Sequence, residues 1–184
     1  MNKDQKVRVG ISIGDLNGIG AEVVIKTFSE VMMFDFCTPI IFASAKTLSY
    51  IKKSLSLQAE FHGIDAFAKA LETKKNVYNL WKEPVEIKWG EATETAGDYA
   101  LKSFVEATKA LKNGDIDVLV TAPINKANIQ KEDFAFPGHT DYLAQELEGD
   151  AMMLMITDTL KVGLLTDHVP VKDVASEITP EVIV

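Results

Sequence analysis

The chain has 184 residues, is 47% hydrophobic and 25% charged, and carries a formal net charge of -8. That balance fits a globular protein with a sizeable core and excludes an extended disordered chain, while the acidity argues against a nucleic-acid partner. The lone cysteine, Cys37, excludes an intrachain disulfide and a cysteine-based zinc site. The first ten residues, MNKDQKVRVG, lack the apolar stretch of a signal peptide, and the run AMMLMI is too short to span a bilayer. A soluble, cytoplasmic protein with no membrane partner is the resulting expectation.

Strand and helix signals then alternate. VRVGISI (7–13) reads as a strand that runs into glycines, and Ala21 to Ser29 as a helix. PIIFAS (39–44) reads as a short buried strand, followed by a helix from Lys46 to Ser54. The pattern weakens between Phe61 and Lys88, where a helix is placed around Ala66 to Thr73. Thr95 and Asp98 have the spacing of a capping box, and Ala100, Leu101, Phe104, Val105, Thr108 and Leu111 then share one helical face. Asn113-Gly114 is a left-handed stop. DVLVTAP (117–123) follows as a buried strand, and MMLMIT and LKVGLLT flank Asp158-Thr159 as an antiparallel hairpin. The expected class is α/β with a mixed sheet between helical layers. At the end, ITPEVIV announces a helix and stops at Val184, which reads as the front part of something longer.

Four stretches carry possible chemistry. The loop after the first strand spaces Gly14, Gly18 and Gly20 as G-x-x-x-G-x-G, with Asp15 inside it. It lacks the third glycine and distant acid of a dinucleotide fingerprint, and the Lys-Ser/Thr of a phosphate loop, so it reads equally as a tight turn at a cleft edge. In FPGHTDYL (136–143), Pro137-Gly138 makes a turn, and His139 and Thr140 open a helix where imidazole, hydroxyl and free amides suit a phosphate or carboxylate. A plain N-cap beside a surface histidine is the simpler reading of the same residues. In LLTDHVPVKDV (164–174), His168 lies past a strand end beside Asp167, and neutral imidazole is a common metal ligand. His62, His139 and His168 are the only histidines and no two have helical spacing, so they define no closed metal site. In VTAPINKANI (120–129), Lys126 follows a strand closely enough to reach a cleft, although a solvated lysine in a first helical turn is the better reading of these residues alone.

Taken in order, GDLNGIGAE, TAPINK, FPGHTDYL and LLTDHVPVKDVASEITPE closely resemble the 4-hydroxythreonine-4-phosphate dehydrogenase family, from about Val7 to the last residue. One departure is visible: Leu16, Asn17 and Ala21 stand where that family usually has proline, alanine and proline, which bears on the stiffness of the loop. The resemblance implies a fold like that of isocitrate and isopropylmalate dehydrogenases. It also implies NAD-dependent oxidation and decarboxylation of 4-phosphooxy-L-threonine to 3-amino-2-oxopropyl phosphate, in pyridoxal 5'-phosphate biosynthesis. A divalent cation (zinc, magnesium or cobalt) would be the second cofactor. By motif match, His168 corresponds to one metal ligand, His139 and Thr140 to substrate contacts, and Lys126 (catalytic) and Asp15 (substrate-binding) to cleft-lining residues. Family members are about twice this length and work as homodimers with the site at the subunit interface. The 184 residues are therefore expected to be the N-terminal portion of a two-domain dehydrogenase, inactive alone, with further metal histidines and much of the NAD site beyond Val184. Paralogues acting on phosphothreonate or a cyclic diol, and a non-catalytic phosphate-binding module, are the alternatives.

Overall fold

The computed structural model describes residues 6–129, 138–149 and 151–183. Phe136 and Pro137 of the FPGHTDYL motif lie outside them. The chain divides into two compact units, residues 1–139 and 140–184.

In the first unit, β1 (Val7–Ser12), β2 (Cys37–Ala43), β3 (His62–Ile64), β4 (Asn76–Asn79) and β5 (Val118–Thr121) form a parallel sheet in the order β3-β4-β2-β1-β5. All seven residues of β2 are buried, because the strand is central and both of its faces are covered. Its side chains alternate. Ile41 and Ala43 join a cluster with Ile11, Ile13 and the helices α1 (Gly20–Thr27), α2 (Met33–Phe36) and α3 (Ala45–Ser54), whereas Ile40 and Phe42 meet Ala107 and Ala110 of α4 (Glu94–Lys112). The result is helix, sheet, helix, the expected layering. Phe42 also packs against Phe67 and Tyr78, which stack on each other at 4.5 Å.

Burial of a ring of that size contributes about 1.5–3 kcal/mol. Polar groups between the layers are satisfied as well. Ser103 of α4 donates to the Phe42 carbonyl at 2.6 Å and accepts from the Ile13 amide at 2.9 Å, tying one helix to two strands. Chain direction follows from these layers: β1 leads into α1 on one face, and α4 on the other face leads into β5. The carboxyl ends of β1 and β5 therefore flank a crevice where the topology switches sides, the usual place for a ligand in open parallel sheets.

In the second unit, β6 (Leu154–Ile156) and β7 (Lys161–Gly163) pair antiparallel, with Leu154 opposite Gly163. Parallel and antiparallel strands are thus both present, in two separate sheets. Two short helical turns close the chain, α7 (Val174–Glu177) and α8 (Pro180–Ile183). None of the described helices is long and apolar enough to cross a membrane.

Three sequence expectations change in detail. The segment expected as a helix at Ala66 to Thr73 holds only a single 3-10 turn, Phe67–Lys69, between two short strands. Those strands were hidden by Asn76, a polar residue at a strand start, whose amide bonds Pro39, Leu71 and Lys74 carbonyls in a fully buried position. The helix α4 starts two residues earlier than the Thr95–Asp98 box: Thr93 is the cap, accepting from the Ala96 amide at 3.3 Å. Finally, β5 is an edge strand rather than a buried one, with Val118 45% and Val120 49% exposed. Its apolar composition resembles that of a central strand, and composition cannot tell a strand's place in a sheet.

Candidate functional site

The crevice is built by two loops. After β1, Gly14 turns with φ +70, and a Cβ there would stand 2.3 Å from the Pro123 carbonyl oxygen, so only glycine fits. That close approach lets the Asp15 amide donate to the same Pro123 oxygen at 2.9 Å, locking the loop after β1 to the loop after β5. Asp15 is buried, and its carboxylate accepts from the Asn17 amide at 2.8 Å.

Asn17 is the fastener of the whole rim. Its side chain donates to the Glu91 carbonyl and the Thr93 hydroxyl and accepts from the Lys88 amide, each at 2.9 Å. Its own carbonyl accepts from the Gly90 amide. Leu16 is fully buried in the core. The departures from the family's usual proline and alanine therefore leave a firm loop, held by hydrogen bonds and burial in place of ring rigidity. Between these loops lies a cavity of about 330 Å³, lined by Asp15, Asn17, Gly18, Glu91, Pro123 and Asn125 among others.

The loop after β5 continues into α5 (Lys126–Ile129), where the Asn125 side chain accepts from the Ala127 amide. This short helix packs on α4 at Gly97, where any Cβ would collide with the Asn128 carbonyl at 2.3 Å. Lys126 is exposed, and a Cβ on Gly138 would lie 4.0 Å from its ammonium. The lysine thus stands at the turn that precedes α6 (His139–Glu146).

His139 opens α6, and its ring meets the Phe104 ring of α4 edge-on at 4.6 Å. Its Nε2 is buried with no hydrogen-bond partner among the described residues. Burial first, and the Lys126 ammonium second, push this imidazole below its ordinary range. A neutral imidazole with a buried unsatisfied nitrogen is costly unless something binds it, since an orphaned polar atom forfeits about 1–3 kcal/mol. Thr140 follows on the helix and is exposed.

His168 stands apart from any regular element. It lies five residues past the end of β7, with φ +55 and a side chain 88% exposed. Its Nε2 is 3.6 Å from the Asp167 carboxylate. Among the described residues no group of three histidine, cysteine, aspartate or glutamate side chains could hold a metal ion.

The structure thus brings Lys126 to His139 at one turn, and sets Asp15 beside the loop that carries Asn125. Sequence reasoning passed over Asn17 and Asn125. Both lie in stretches it singled out, but a buried amide that satisfies several backbone groups leaves no spacing signal. Asn17 was visible only as an unusual residue for its motif.

Comparison with known proteins agrees with this architecture. The family model described as "Pyridoxal phosphate biosynthetic protein PdxA" matches residues 35–184. A 4-hydroxythreonine-4-phosphate dehydrogenase from Bacteroides thetaiotaomicron is 39% identical over 183 residues, covering 98% of this chain and 50% of that protein. The crystal structure of a 4-hydroxythreonine-4-phosphate dehydrogenase from Burkholderia phymatum superimposes with a TM-score of 0.88 at 27% identity, over 98% of this chain and 56% of the other. One from Klebsiella pneumoniae gives 0.82 at 29%, over 100% and 56%. The chain spans about half the length of the curated relatives it matches.

Proposed function

Because the chain belongs to the family of the pyridoxal phosphate biosynthetic protein PdxA, we propose that the protein it represents oxidises 4-phosphooxy-L-threonine with NAD. Loss of carbon dioxide from the β-keto acid then gives 3-amino-2-oxopropyl phosphate. The observation that carries this reading is the buried, partnerless Nε2 of His139 beside the Lys126 ammonium. A neutral imidazole and a cation side by side at a helix start suit an anionic, oxygen-rich substrate.

In this reading each group has a task. His139 holds a phosphate or carboxylate oxygen through Nε2, and the Thr140 hydroxyl adds a second donor. Lys126 attracts the anion and returns a proton to the enol left when carbon dioxide departs. Asp15 and Asn17 shape the crevice mouth. When bound, NAD accepts the hydride and a divalent cation polarises the carbinol oxygen. His168 is exposed enough to serve as one ligand of that cation, but one imidazole and its neighbouring carboxylate fall short of the three protein ligands of a catalytic metal site. The remaining ligands and most of the NAD surface are therefore assigned to the part of the longer protein outside these 184 residues. A partner subunit closes the site.

Assay of the full-length protein with NAD, a divalent cation and either 4-phosphooxy-L-threonine or phosphothreonate tests this. The first substrate is turned over at the higher kcat/KM. His139→Gln raises KM about tenfold, the value of one charge-assisted hydrogen bond, and His168→Ala lowers kcat/KM at least ~100-fold. The 184-residue chain alone is inactive. Preference for phosphothreonate, or full activity of His168→Ala, overturns the assignment.

A further inference from the structure

A second cavity lies at the carboxyl ends of β2, β3 and β4, away from the β1/β5 crevice. It measures about 490 Å³ and is lined by Ser44, Lys46, Gly63, Asp65, Asn79 and Lys82, with Lys69 and Trp81 at its sides. It shares Lys46 and Lys82 with an adjoining cavity of about 670 Å³, whose wall includes Tyr50, Pro84, Val85 and Ile87.

The unusual residue is Ser44. It holds the N-cap position of the ten-residue helix α3, with φ -122 and ψ 129, yet its side chain caps nothing. Asn79 takes over part of that work by accepting from the Ala45 amide at 2.9 Å, and Gly63 has no Cβ to obstruct the Asn79 amide. The Ser44 hydroxyl is left buried, on a residue only 1% exposed, with no hydrogen-bond partner among the described residues. Serine in this position ordinarily bonds a first-turn amide. Here both the hydroxyl and the amides after Ala45 lack an intrahelical acceptor and border a cavity.

Charge agrees with this geometry. In a chain of net charge -8, three lysines and one carboxylate, Asp65, line the space beside the positive end of a helix. Lys69 is neutralised by Asp65 at 2.6 Å, whereas Lys46 and Lys82 form no ion pair among the described residues. An unbonded hydroxyl, free helix amides and two ammonium groups outside any described ion pair, Lys82 also lying in the field of Asp65, make the donor set for a tetrahedral dianion. On the adjoining wall, Tyr50, Pro84, Val85 and Ile87 suit an apolar or aromatic body on the same molecule, with the Glu86 carboxylate beside them.

We propose that this groove binds a phosphate monoester with an apolar or aromatic body, its phosphate on Ser44, Lys46, Lys82 and the start of α3. This site is separate from the one assigned above to the substrate, and it stands or falls independently of that reading.

Calorimetric titration of the full-length protein carrying His139→Gln tests it, because that background weakens the first phosphate site. Phenyl phosphate and inorganic phosphate are the probes. Both bind, phenyl phosphate more tightly. Adding Lys46→Gln with Lys82→Gln weakens both at least about tenfold, the loss expected when charged donors are removed. Ser44→Ala weakens phosphate binding and leaves the urea midpoint equal or higher, since the hydroxyl has no protein partner to lose. A structural serine would lower that midpoint instead. No binding in the His139→Gln background, equal binding after loss of both lysines, or a Ser44→Ala variant that loses stability while keeping phosphate affinity would each overturn the proposal.

Discussion

The seven residues of β2 are all buried, whereas the six residues of β6 and β7 are all exposed. Both stretches are rich in branched and long apolar side chains. In the first unit, Ile40, Ile41 and Phe42 are sealed between helices on both faces of the sheet, and buried polar groups such as Asn76 and Ser103 are bonded in place. In the second unit, Leu154, Met155, Ile156 and Val162 remain open to solvent. A two-stranded hairpin has no inner face of its own, so it cannot bury these side chains by itself. Exposed apolar surface of this kind marks contact with other protein, which agrees with the proposal that the working site needs more than these residues. Apolar residues therefore have opposite energetic meaning in the two units.

Substitutions sharpen the contrast. In the 184-residue chain, Phe42→Ala should cost about 3–5 kcal/mol, because it empties space among Phe67, Tyr78 and α4. Met155→Ser should stay within about 0.5 kcal/mol. Urea denaturation measures both, and similar losses for the two would break the comparison. Asn17→Ala should follow at about 2–3 kcal/mol, since it strips three side-chain hydrogen bonds from a buried asparagine and leaves the Lys88 amide without its acceptor. Amide exchange should then rise at Lys88 and Gly90.

Thr93→Ala should cost about 1–2 kcal/mol by removing both the cap of α4 and the acceptor of the Asn17 amide. Thr95→Ala should be near neutral. The reverse order would restore the cap that spacing suggested.

The smallest effect concerns pH. Burial holds the His139 pKa in the folded chain below its unfolded value near 6.5. The unfolded chain thus binds the proton more readily, so stability is full above that value and falls as the pH drops through the folded pKa. His139→Gln should flatten the slope of stability against pH in that acidic window. An NMR titration placing the His139 pKa at or above 6.5 would contradict this.

Much of the fold was legible because period and punctuation report local physics. VRVGISI and PIIFAS alternate or run apolar as strands must, and Asn113-Gly114 ends α4 through a glycine with φ +76. The short strands at His62 and Asn76 were not legible. Three or four residues contain too little period to read, and tertiary bonds to Asn76 stabilise them instead. The same division runs through the site. GHT and INK announced polar residues at helix starts, but the fit of Gly14 against Pro123 and the role of Asn17 exist only across distant loops.

The amino-acid order alone determined the alternation of strands and helices, the glycine turn after β1, and the presence of Lys126, His139 and His168 in loops or first turns, since each follows from short-range sterics and patterning. Only the tertiary structure decided that β5 is an edge, that Thr93 caps α4, and that burial lowers the His139 pKa and leaves its Nε2 without a partner among the described residues. The physical reason is that burial and desolvation are set by neighbours far away in the chain, and a residue's own surroundings in sequence do not contain them.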